Sequence, residues 1–138
     1  MTVELTRDER LERWARVLEA VPDGGLSPFQ EVEFMSSAAC LALRQARSPL
    51  AAAFGDPVLR GAGLGSDRYG DGIEFFGLSY AQAHRILCSC GYLGTMRGTD
   101  VARRVRTVAQ RRRRRASWAA NPLPAFARWL AGWRPATT

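Results

Sequence analysis

The chain has 138 residues, 20 of them arginine and none lysine, against 13 acids and one histidine, for a net charge of +7. That length suits one domain plus an extension. Three cysteines, an odd number, argue against a disulfide framework, and no stretch reaches the roughly 20 apolar residues of a membrane span. High Ala and Gly usage with only two isoleucines, Ile73 and Ile86, points to GC-rich coding, which explains arginine in place of lysine. Composition does not explain where the arginines lie. Residues 1–100 hold ten arginines and thirteen acids, whereas residues 101–138 hold ten arginines and no acid. The excess positive charge is therefore a property of the C-terminal quarter.

In chain order, Met1 to Trp14 alternates acids with arginines and lacks an apolar leader core, so a cytoplasmic location is expected. Thr6 and Glu9 have capping-box spacing, and Leu11, Trp14, Ala15, Leu18 and Val21 recur at helical period. Asp8, Glu12 and Arg16, with Glu9 and Arg13, offer i,i+4 pairs on its exposed side. Pro22 and Asp23-Gly24-Gly25 end this first helix. Ser27-Pro28 with Gln30 suggests a second helix start, although Val32 and Phe34 alternate with Glu31 and Glu33 as a strand would. Ser36 or Ser37 caps a helix from Ala38 to about Ala46. Ser48-Pro49 and Asp56-Pro57 each place a capping side chain before a proline, which predicts two short helices before the loop Gly61 to Gly65.

Ser66 is expected to open a helix carrying Ile73, Phe75 and Phe76, with Asp67, Asp71 and Glu74 along one side. Ser79 and Gln82 repeat the capping box for a helix over Tyr80 to Cys90, stopped by Gly91. Thr99-Asp100 starts a last core helix with Val101, Val105, Val108 and Ala109 inward. No strand alternation recurs. The expectation is an all-α fold, a small orthogonal bundle of short helices, with residues 1–110 compact and residues 111–138 an Arg/Trp-rich extension.

Arg103, Arg104, Arg106, Arg111, Arg112, Arg113, Arg114 and Arg115 fall within thirteen residues. Such density attracts phosphate backbones through counterion release, without sequence specificity. Trp118, Phe126, Trp129 and Trp133 follow as aromatic anchors for unpaired bases. The same polybasic, Trp-containing stretch suits an anionic membrane surface or a groove on a partner protein. The plain alternative is a solvated charged tail.

His84, Cys88 and Cys90 raise a thiol or metal site. On an ideal helix, however, Cys90 points away from the other two, and the spacing departs from standard zinc motifs. No third group is evident to orient a Cys88–His84 dyad. Gly61-Ala62-Gly63-Leu64-Gly65 matches no phosphate loop. The expectation is a non-enzymatic binding protein without cofactor or metal, whose first partner is nucleic acid.

Overall fold

The computed structural model describes residues 4–30 and 35–120, without the side chains of 112, 116 and 118–120. Among the described residues seven α-helices form the regular structure: α1 Arg7–Glu19, α2 Ser37–Ala42, α3 Pro49–Gly55, α4 Pro57–Gly61, α5 Tyr69–Phe76, α6 Tyr80–Leu87 and α7 Gly98–Ala120. A 3₁₀ turn, Ser89–Gly91, follows α6. Extended pairing among the described residues is limited to one parallel bridge between Phe29 and Cys88. The protein is an all-α bundle, as its patterning predicts.

Local chemistry starts most of these helices. Thr6 and Glu9 close a reciprocal capping box on α1, and Ser79 and Gln82 do the same on α6. Ser36 caps α2, Ser48 caps α3 and Asp56 caps α4, the last two with proline at the first helical position.

Four expectations give way, three of them to tertiary contacts and that for Ser66 to a local bond. The Ser27-Pro28 start makes no helix: Phe29 N–H donates to the Leu87 carbonyl and Ser89 N–H to the Phe29 carbonyl, at 2.9 Å each. Residues 31–34 lie outside the description. α2 ends at Ala42 rather than near Ala46, because Leu43 turns extended and its carbonyl accepts from Tyr69 N–H at 2.9 Å. Ser66 does not cap α5, which begins after Arg68 without a side-chain cap, and instead bonds Asp71. α6 stops at Leu87, where Cys88 turns extended to meet Phe29.

Trp14 lies at the centre of the core. It is fully buried, stacks on Phe76 at 4.1 Å and 14°, and donates its indole N–H to the Pro49 carbonyl at 2.9 Å. One side chain thus ties α1, α5 and the start of α3. Nearby, buried Phe29 meets Tyr69 edge-on at 5.3 Å, a favoured geometry for aromatic pairs.

α7 packs chiefly on α1. Val101, Ala102, Val105, Val108 and Ala109 face Leu11, Ala15 and Leu18 in the core. The pair is antiparallel: Gly98 approaches Leu18, Arg106 meets Glu12 and Glu19, and Arg113 meets Asp8. Gly98 is required here, since a Cβ there would lie 3.0 Å from the Leu18 carbonyl carbon and closer still to its oxygen.

Candidate polyanion-binding helix

α7 continues as helix through the whole arginine run to Ala120. Helical period therefore sets the spacing of the guanidinium groups, and the seven arginines whose side chains are described divide into two groups.

The first group is engaged within the protein. Arg104 donates to the Arg85 carbonyl at 2.7 Å and to the Gly91 carbonyl, and lies 4.0 Å over the Tyr92 ring. Tyr92 in turn donates to the Ile86 carbonyl at 2.6 Å. Together they satisfy carbonyls left open at the C-terminal end of α6 and of the 3₁₀ turn that follows it. Burial pushes the Tyr92 phenol up to about 12, against the opposing pull of Arg104. Arg106 grips Glu12 with two bonds of 3.2 Å and also donates to Glu19. These hydrogen bonds hold both carboxyls below the usual range. Arg113 reaches Asp8 at 3.2 Å in an exposed pair, and Arg103 reaches Asp100 at 3.4 Å with its side chain 76% exposed.

The second group faces solvent. Arg111, Arg114 and Arg115 are exposed, with no guanidinium ion pair or hydrogen bond among the described residues. The side chains of Arg112 and Trp118 lie outside the description, as do Phe126, Trp129 and Trp133. Helical spacing sets Arg111 against Arg114 and Arg115 at i,i+3 and i,i+4, where like charges repel. An anion bridging them would relieve that repulsion.

The acids facing α7 escaped local sequence reasoning. Glu12 and Glu19 are seven residues apart, as are Arg106 and Arg113. The pairing does not follow these intervals, since Arg106 takes both Glu12 and Glu19 while Arg113 takes Asp8, so no spacing in the sequence marked it. The predicted i,i+4 pair Glu12–Arg16 forms at 3.5 Å. Glu9 serves the capping box instead, and Arg13 leaves its own helix for Asp56, at 3.0 and 2.8 Å.

The thiols separate as well. Because α6 ends early, Cys90 swings back to His84, its sulfur 3.4 Å from Nδ1 and 3.5 Å from Nε2. An in-line bond to one ring nitrogen would leave the other distinctly farther away. Near-equal distances put the sulfur over the ring face, which is not the alignment for direct proton transfer. Cys88 is buried, 3.9 Å from the Tyr69 hydroxyl, and Cys40 is half-buried with its thiol pushed up by burial. Among the described residues no three His, Cys, Asp or Glu side chains gather to hold a metal. Asp67, expected along one side of a helix with Asp71 and Glu74, lies ahead of α5, is buried and pairs with Arg44 at 2.7 Å.

No helix among the described residues is long and apolar enough to cross a membrane. Compared with family models, curated proteins and solved structures, the chain matches none.

Proposed function

We propose that the protein is a non-enzymatic binding protein whose α7 arginines contact nucleic acid through its phosphates, without sequence preference. The supporting observation is the exposure of Arg111, Arg114 and Arg115 on one helix without acidic partners, while Arg106 and Arg113 occupy the acids that face α7. A helical scaffold fixes the spacing of these charges, so binding orders fewer groups than a coil of equal charge would require. A cytoplasmic location accords with this reading and with an odd number of cysteines.

The test is fluorescence anisotropy of a labelled mixed-sequence oligonucleotide titrated with the full chain over a range of salt. Log affinity should fall linearly with log salt, and each of Arg111→Gln, Arg114→Gln and Arg115→Gln should reduce the slope by about one. Salt-insensitive binding, or binding unchanged in the triple variant, refutes the proposal.

A further inference from the structure

We infer that the basic surface takes single-stranded nucleic acid, with the backbone along the outer face of α7 and one unpaired base seated in a cleft beside Leu93; this rests on the polyanion reading and names the form of the partner. The outer face is a single stripe. With Arg103 at 0° and about 100° per residue, Thr107, Gln110, Arg111 and Arg114 stand near 40°, 340°, 80° and 20°. The buried Val101, Val105 and Ala109 stand near 160°, 200° and 240°, on the opposite side. The stripe from Arg103 to Arg114 is about 16 Å long, and the chain has no acid after Asp100. Its side chains are arginine, threonine and glutamine, which suit phosphates and offer a lipid interior no apolar contact.

At the Arg103 end the stripe meets a cleft of about 410 Å³ between α7 and the loop before it, lined by Tyr92, Leu93, Thr95, Asp100, Arg103 and Thr107 among others. That volume is within the range of small-ligand sites, about 300–1,000 Å³. Leu93 is fully exposed, the most exposed of the large apolar side chains described. Its flanks hold it there: Tyr92 donates to the Ile86 carbonyl at 2.6 Å, Met96 is buried, and Gly94 turns the chain at φ +90°. An apolar side chain fixed in water beside a row of arginines suits the face of a base. Asp100 decides which part of a nucleotide enters. Its carboxylate repels phosphate but accepts a hydrogen bond from the amino group of a base, while its 3.4 Å pair with Arg103 leaves that guanidinium 76% exposed for the backbone. In a duplex the faces and edges of bases are stacked and paired, so only an unpaired base can enter.

The full chain is titrated at several salt concentrations with a labelled mixed-sequence single strand of about 12 nucleotides, with an abasic strand of equal phosphate number, and with phosphatidylserine-containing vesicles. The base-bearing strand should bind at least about fivefold tighter than the abasic one. Leu93→Ser, at a fully exposed position, should leave the thermal melt and the salt slope unchanged but reduce that preference about threefold or more. Arg103→Gln should lower the slope by about 0.7. Equal affinity for the two strands, a preference untouched by Leu93→Ser, or an unchanged slope in Arg103→Gln overturns the seating of a base in the cleft and leaves the polyanion reading standing. Binding to vesicles alone, or to none of the probes, overturns both.

Discussion

Replacing Gly98 with alanine tests the α1–α7 pairing on which the orientation of the basic segment depends. The added Cβ would lie 3.0 Å from the Leu18 carbonyl carbon, nearer to its oxygen, and 3.6 Å from the Val21 carbonyl oxygen. Both sides of this collision are backbone, so no rotamer change relieves it. The start of α7 must withdraw from the end of α1 while Val101, Val105 and Leu18, all fully buried, resist the shift. Overpacking of this kind costs about 1–3 kcal/mol, and rigid backbone on both sides puts this site near the top of that range. Alanine's better helix propensity offsets at most about 1 kcal/mol. The net loss is about 2 kcal/mol, which lowers Tm by about 6–12 °C in a domain of this size. Thermal melts followed by far-ultraviolet circular dichroism read this directly. Gly55, exposed at the end of α3 with open space around its Cβ position, is the control: Gly55→Ala should raise stability by about 0.4–1 kcal/mol. A Gly98→Ala protein that melts at or above the wild-type temperature would show that the two helices do not approach as described.

Three further outcomes follow from the same contacts. Glu12 and Glu19 are held low by hydrogen bonds from Arg106, and Asp56 by those from Arg13. Depressed carboxyls contribute stability that is complete above their unfolded values of about 4 and is lost as pH falls through the lower folded values. Tyr69 and Tyr92, raised by burial, contribute stability that is complete below about 10 and is lost at higher pH. Urea midpoints should therefore be level between about pH 5 and 9 and fall on both sides; a midpoint constant down to pH 2 contradicts the Arg106 and Arg13 pairings. Arg104→Lys keeps the charge but cannot reach both carbonyls and stack on Tyr92, so it should cost about 1–2 kcal/mol in urea unfolding, whereas Arg114→Lys should be silent. Asp8→Asn releases Arg113 from an exposed pair: stability should change by less than about 1 kcal/mol, while the salt dependence of DNA binding should steepen by about 0.9. An unchanged slope would mean that Arg113 does not reach phosphate.

What was legible in the sequence was local. Thr6 with Glu9, Ser79 with Gln82, Ser48 before Pro49 and Asp56 before Pro57 start helices where the spacing places them, because a cap needs only groups within one turn. The inward valines of α7 were legible for the same reason. What failed was decided from afar. Leu43 and Cys88 leave helical geometry because the Leu43 carbonyl serves Tyr69, 26 positions on, and Cys88 pairs with Phe29, 59 positions back. No short window contains those partners.

The arginines show the same division, and it bears on function. Arg7 and Arg10 donate to the Gly77 and Phe75 carbonyls at the end of α5, at 2.8 and 3.0 Å. Arg104 does the equivalent for α6, and Arg106 joins α7 to Glu12, 94 residues earlier. In a chain without lysine, guanidinium groups supply the multidentate bonds that close helix ends and helix pairs. Net charge is therefore a poor measure of binding capacity: most of the arginines near α1 and in the first half of α7 already have partners. What remains is the short segment from Arg111 onward, where among the described residues Asp8 alone pairs with the run. Among the described residues Arg111, Arg114 and Arg115 make no contact that packs the bundle, and their mutual repulsion weakens the helix.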